Sequence, residues 1–297
     1  MRVRILAFAV FALAAASLLA AQIQVNVVQV PLLVTVSDSK GQLITELKKE
    51  NFRIFENQKA QKVDAFSREL DLPLSIALVV DTSSSVYGQL DFERTAASDF
   101  FSKVVKPRKD RAAVIGFSSS PRLMTDFTDD LEKLSAGLKK LEAEGNSGVY
   151  DAIHESAQKK LALETGNRRR VLVLISDGYD TSSRYSLAEA TEMAQRHDVV
   201  IYAISVNRIT DSKGEEKSEG DKAIKHLVTE TGGKAYYPTK FTDLGLEFQK
   251  IEEELRSQYL LSYTPAGPFD GAYRKVRVEL TDKKYKAHTR AGFYATK

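Results

Sequence analysis

Three runs of consecutive apolar residues sit in the middle of this chain: Leu74 to Val80 (LSIALVV), Ala112 to Phe117 and Val171 to Ile175 (VLVLI). A strand with one wet face alternates apolar and polar residues. A run without alternation needs both faces covered, which is the signature of a central strand in a parallel sheet. The stretches between them carry a helical period. Phe92, Ala96, Phe100, Phe101 and Val104 share one stripe, and Leu131, Leu134, Leu138 and Leu141 share another. Gly148 to Leu163, Ser186 to Arg196, Lys222 to Thr231 and Leu244 to Leu255 are expected helices. Val199 to Val206 and Lys234 to Tyr237 are expected strands, and Arg122 to Phe127 an edge return. Strands alternating with helices predict an α/β fold: a doubly wound, mostly parallel sheet with helices on both faces.

The two flanks differ in texture. Val27 to Val36, Phe52 to Phe55 and Gln61 to Phe66 on one side, and Tyr259 to Tyr263, Tyr273 to Leu280 and Tyr285 to Ala295 on the other, are short alternating runs between turn residues. Neither flank can close a sandwich by itself. The expectation is that both pair into one small β-sandwich with the α/β domain inserted between them; two unrelated β extensions are the alternative. The divisions expected are 1–21 leader, 22–72 first sandwich part, 73–256 α/β domain and 257–297 second sandwich part.

The leader reading rests on Arg2 and Arg4 followed by an uncharged run, Ile5 to Ala21, that ends in small residues. That order is a secretory signal cut near Ala21, or an uncleaved anchor, since the run is at the short limit for a bilayer span. Either reading places the rest of the chain outside the cytoplasm, secreted or in a bacterial envelope. Any membrane association would come through an uncleaved leader. The formal charge is +3, and with the leader's arginines set aside the remainder is near neutral. This gives no support to a nucleic-acid binder. The chain has no cysteine and four histidines, so thiolate metal sites and cysteine nucleophiles are excluded.

In open parallel sheets, ligands bind beyond the carboxyl ends of the strands. Asp81-Thr82-Ser83-Ser84-Ser85 follows the first buried run, and Ser176-Asp177-Gly178 follows the third. Gly145-Asn146-Ser147-Gly148 opens the helix between. Residues two apart in an extended loop project to one side, so Asp81, Ser83 and Ser85 can converge. Two carboxylates and several hydroxyls suit a hard dication such as Mg2+, which keeps some water. If Asp177 acts through a bridging water, few anionic groups touch the ion and a vacant position can take a partner's carboxylate. Taken singly, each of these residues is also a good helix cap.

VVDTSSS, SGVYDAI and VLVLISDG together resemble the von Willebrand factor A (VWA) domain with its metal-ion-dependent adhesion site, over about Pro73 to Leu255. TETGGKAYYP and YLLSYTP extend the likeness to secreted bacterial VWFA-related proteins, and the flanks to domains inserted in an immunoglobulin-like sandwich. The resemblance implies a Rossmann-like fold and Asp81, Ser83, Ser85, Ser147 and Asp177 around Mg2+ (or Mn2+). It also implies an extracytoplasmic protein ligand that offers Asp or Glu. Ser147 stands where the family usually has threonine; it keeps the oxygen and loses the methyl that restricts χ1.

Competing expectations are a structural envelope module with a stapling metal, and a metal-dependent hydrolase. Neither a G-x-S-x-G elbow nor a phosphate-binding G-x-x-x-x-G-K-[ST] loop is present, and Ser83 occupies the place of a phosphatase's second aspartate. The expectation is therefore a binding protein and not an enzyme. Arg168-Arg169-Arg170 reads as a solvated strand entrance. The charged segment Arg208 to Asp221, with Arg208, Asp211, Glu215 and Glu216, is expected to project from the metal-bearing edge and tune partner choice.

Overall fold

The computed structural model describes residues 29–68, 72–86, 88–210 and 219–296. The expected leader, 1–21, lies outside the described residues. Among the described residues no helix is long and apolar enough to cross a membrane.

Along the chain come β1 (Val30–Ser37), β2 (Phe52–Glu56), β3 (Lys59–Gln61), β4 (Ala65–Arg68) and β5 (Leu74–Asp81). Then follow α1 (Leu90–Val104), β6 (Arg111–Phe117), β7 (Pro121–Thr128), α2 (Leu131–Lys139), α3 (Val149–Lys159) and β8 (Arg169–Ser176). The α/β part ends with α4 (Leu187–Arg196), β9 (Val199–Ser205), α5 (Glu219–Thr231), β10 (Ala235–Tyr236) and α6 (Leu244–Leu255). Last are β11 (Tyr259–Tyr263), β12 (Tyr273–Leu280), β13 (Lys286–His288) and β14 (Gly292–Tyr294).

The central sheet has the order β10-β9-β8-β5-β6-β7. All its pairings are parallel except β7, which returns antiparallel along β6 at the edge as its turn residues predict. Every residue of β5 is buried, and side-chain alternation divides the strand between two cores. Leu74, Ile76, Leu78 and Val80 pack with α1, α2 and α6. Ala77 and Val79 pack with α3, α4 and α5 on the other face. By that alternation Asp81, the last residue of β5, belongs to the face of Ala77 and Val79, over which α3 begins.

The flanks form two four-stranded antiparallel sheets, β13-β1-β11-β4 and β14-β12-β2-β3. Each mixes strands from before and after the α/β domain. β1 pairs with β11, and β2 with β12. The inward residues of both sheets, among them Leu32, Val34, Ile54, Tyr259, Leu261 and Val278, form one hydrophobic cluster. A cluster holding four buried aromatic rings, Phe52, Tyr259, Tyr263 and Phe293, is a substantial core of its own.

Two expected strands divide. Gln61 to Phe66 is split between β3 and β4, which lie in different sheets. Tyr285 to Ala295 becomes β13 and β14, again in opposite sheets. In both cases a continuous alternating run crosses from one layer to the other, and the side-chain period cannot report such a crossing. The stripe read from Leu131 to Leu141 outlasts its helix, which ends at Lys139.

Candidate metal centre

The loop after β5 is held from both sides. Thr82 donates its backbone N–H and its hydroxyl to the Phe117 carbonyl at the end of β6, over 2.7 and 2.9 Å. The Glu144 N–H donates to the Thr82 carbonyl, and the Ser84 N–H to that of Gly145. The carboxylate of Asp81 then turns back on its own loop, accepting the Ser83 N–H on Oδ1 at 2.9 Å.

Oδ2 of Asp81 is where the separate loops meet. It accepts the Ser147 hydroxyl at 3.1 Å and the Ser176 hydroxyl at 2.9 Å. Asp81 is 1 % exposed, Ser83 4 % and Ser147 7 %, so these residues are buried and not fraying into solvent. Ser147 is positioned by a clasp with the loop after β8. Its N–H donates to Thr181 Oγ1, and its carbonyl accepts the N–H groups of Thr181 and Ser182. Gly148 follows in close contact, its N–H on the Ser118 carbonyl at 2.7 Å.

Asp177 closes the third side. Its Oδ1 accepts the Tyr179 N–H at 3.0 Å, and its main-chain carbonyl accepts the Asn207 amide at 2.6 Å. Burial pushes its carboxyl up to about 6, against the hydrogen bond from Tyr179, and the nearby charges of Asp81 and Asp221 add to the rise. Glu93, on the first turn of α1, is lifted to about 8, first by burial and then by the Asp81 charge. Carboxylates that raise one another's proton affinity in a buried setting are short of positive charge.

The five residues read from sequence are placed as follows. Asp81, Ser83, Ser147 and Asp177 lie in adjoining loops at the carboxyl edge of the sheet, with Asp81 and Ser147 in direct contact. Ser85 belongs to the helical turn Ser84–Val86 of the same edge; its side chain is outside the description. Among the described residues no three His, Cys, Asp or Glu side chains gather as a metal centre. The donor set here is hydroxyls with two aspartates, which is the oxygen chemistry a hard dication takes. The residues fit such an ion.

Sequence reasoning missed Ser176, which both donates to Asp81 and accepts the Gly178 N–H at 2.9 Å. Its signal was the same alternation that picked out Asp81: as the last residue of β8 it shares the face of Leu172 and Leu174. It also missed Asn207, Ser205 and Asp221. The Ser205 hydroxyl and Asn207 amide both donate to Asp221 Oδ1, at 2.6 and 3.0 Å. That cluster braces the Asp177 loop from β9 and α5, and Gly220 lies against it so closely that a Cβ there would meet the Asp177 carbonyl at 2.1 Å. Of the segment Arg208 to Asp221, both ends are thus at this edge. Asp211, Glu215 and Glu216 lie outside the described residues, and the Arg208 side chain is likewise undescribed.

Residues 75–252 match the family model of the von Willebrand factor type A domain. The chain belongs to that family. VWA domains commonly bind a divalent metal at a metal-ion-dependent adhesion (MIDAS) site and mediate protein–protein interactions. No match is found among curated protein sequences. Among solved structures, the fold is similar to a von Willebrand factor type A protein from Catenulispora acidiphila, at 10 % identity and a TM-score of 0.54. That likeness covers 90 % of this chain and 75 % of the other. It is also similar to proximal thread matrix protein 1 from the mussel byssus with a zinc-occupied MIDAS motif (14 %, TM-score 0.53), over 67 % of this VWA chain and 49 % of the mussel one. A third is the PilB minor pilin from Streptococcus sanguinis (14 %, TM-score 0.51), over 67 % and 64 %. These are likenesses of fold.

Proposed function

We propose that this VWA protein is an exported interaction module that holds Mg2+ or Mn2+ at Asp81, Ser83, Ser85, Ser147 and Asp177 and, through it, an Asp or Glu of an extracytoplasmic protein partner. The observation that carries the reading is the convergence of the Ser147 and Ser176 hydroxyls on one oxygen of buried Asp81, with the like-charged Asp177 close by. The ion would supply the positive charge this cluster lacks and an open position for a carboxylate.

The chain's own residues do the rest. Asp81 orients both hydroxyls by accepting from them. Asp177, fixed by Tyr179 and Asn207, contributes charge without closing the site. The same hydroxyls donate to a carboxylate and are set up as ligands in a binding module. Exposed Tyr179 lies in the loop of Asp177, and Arg208, Asp211, Glu215 and Glu216 are the residues proposed to select among partners.

The test is retention of a partner from envelope extract on immobilised protein. Retention should depend on magnesium, reverse with chelator and disappear in Asp81→Ala. Equal retention by wild type and Asp81→Ala, with or without chelator, would contradict the reading.

A further inference from the structure

At the opposite end of the central sheet, where the α/β domain meets the β-sandwich, the structure forms a half-open cavity of about 220 Å3. One wall is apolar. Leu33 and Leu260 are directly paired across β1 and β11, and both belong to the face of that sheet turned away from the sandwich core, since their neighbours Leu32, Val34, Tyr259 and Leu261 fill it. Val199, Val200 and Leu72 also line the cavity. The other wall carries Arg168, Arg169 and Arg170 from the entrance to β8, and Arg290 from the link between β13 and β14.

These arginines are not the solvated strand entrance that the sequence suggests. Arg169 is 6 % exposed, with its guanidinium on the Leu255 carbonyl and the Gln258 amide oxygen. Arg168 is shared between the Ser75 hydroxyl, two backbone carbonyls and Glu164. Arg290 spans the seam, from Asp198 of the α/β domain to the Pro31 carbonyl of the sandwich. Arg170 is the outlier. It donates only to the carbonyls of His197 and Glu164, at 3.2 and 3.1 Å, and no carboxylate among the described residues pairs with it. A guanidinium that faces only neutral oxygens leaves charge to be met.

We propose that this cavity is a binding site for a small organic anion with an apolar body, its carboxylate or sulfonate head toward Arg170 and Arg290 and its hydrocarbon against Leu33 and Leu260. Because it sits between elements of the two flanks and of the inserted domain, an occupant ties β1 and β11 to the base of β8 and β9. The site is about one sheet-length from Asp81 and does not require a metal ion, so it stands apart from the interaction function proposed above.

The test uses the fluorescent aromatic sulfonate 8-anilinonaphthalene-1-sulfonate on the full chain in chelator, with benzoate and inorganic phosphate as competitors. The expectation is a 1:1 fluorescence rise that benzoate reverses. Phosphate, which lacks the apolar half, should compete at least tenfold more weakly. Arg170→Met should weaken dye binding at least tenfold, and Leu33→Trp, which fills the cavity from an outward sheet face without removing a hydrogen bond, should abolish it. If Arg170→Met does not fold, Leu33→Trp decides. Dye binding that is unchanged in Leu33→Trp, or displacement by phosphate as strong as by benzoate, would overturn the proposal. So would the absence of a 1:1 complex.

Discussion

The Ser176 hydroxyl, at the end of β8, donates to Oδ2 of Asp81, at the end of β5, over 2.9 Å. Two neighbouring parallel strands thus finish on one hydrogen bond, and that bond fixes the carboxylate on which Ser147 also converges. Its position makes Ser176 a positioning residue for the proposed metal centre, one step behind the proposed ligands.

Removing that hydroxyl separates the positioning role from the fold. Ser176→Ala loses one donor to Asp81 and one acceptor for the Gly178 N–H, and should cost about 1–2 kcal/mol in urea unfolding. It should also weaken magnesium binding by roughly 10–100-fold, the usual cost of losing a group that orients a metal ligand. Calorimetry on the folded variant reads the second effect independently of the first.

Ser147 offers a paired test. Ser147→Ala removes the oxygen and should weaken magnesium affinity at least tenfold while leaving the far-ultraviolet spectrum unchanged. Ser147→Thr restores the methyl that restricts χ1 and should bind at least as tightly as wild type. A threonine variant weaker than alanine would show that the pocket around Ser147 has no room for the methyl.

Buried Glu93 sets a pH dependence with a definite sign. Its carboxyl, held up to about 8 by burial and by Asp81, keeps its proton in the folded chain where the unfolded chain has lost it. The unfolded state therefore binds fewer protons between about pH 4.5 and 8, and stability falls as pH rises through that window. Asp177 acts in the same direction only up to about 6, so pH 7 to 8 isolates Glu93. In chelator, wild type should lose on the order of 1 kcal/mol across that unit, and Glu93→Gln should remove most of the loss. Parallel curves for the two proteins would contradict this.

Gly178 is the residue that the Asp177 loop cannot replace. Its φ is +75°, and a Cβ would meet the Gly220 carbonyl at 2.5 Å. Gly178→Ala should destabilise by about 1–3 kcal/mol and should weaken magnesium binding as well, because the obstruction lies beside Asp177. Gly41→Ala is the control: its φ is also positive, at 82°, but nothing lies within 4 Å of the added carbon. It should cost stability and leave magnesium binding unchanged.

The α/β part was legible because β5, β6 and β8 are buried on both faces along their apolar runs. The loops that follow them were legible for the same reason, since a doubly wound sheet dictates where they gather. Ser176 escaped notice because a serine closing an apolar strand has no signal of its own until its neighbour across the sheet is known to be Asp81. Asp221 was given no role because it lies more than a dozen residues along the chain from Ser205 and Asn207, and only the fold brings it to them. The crossing of Gln61 to Phe66 and of Tyr285 to Ala295 between two sheets was hidden by an alternation that both sheets satisfy equally. Arg169 was misread as solvated because the sequence does not reveal that Leu255 and Gln258 return to cover it.

If Asp81 organises a divalent-cation site, isothermal titration of magnesium into the full chain and into Asp81→Ala, each first stripped with chelator, separates the two proteins. One ion per chain for wild type and no measurable heat of binding for the variant is the predicted result. Equal binding by both proteins, or none by wild type with either magnesium or manganese, would contradict it.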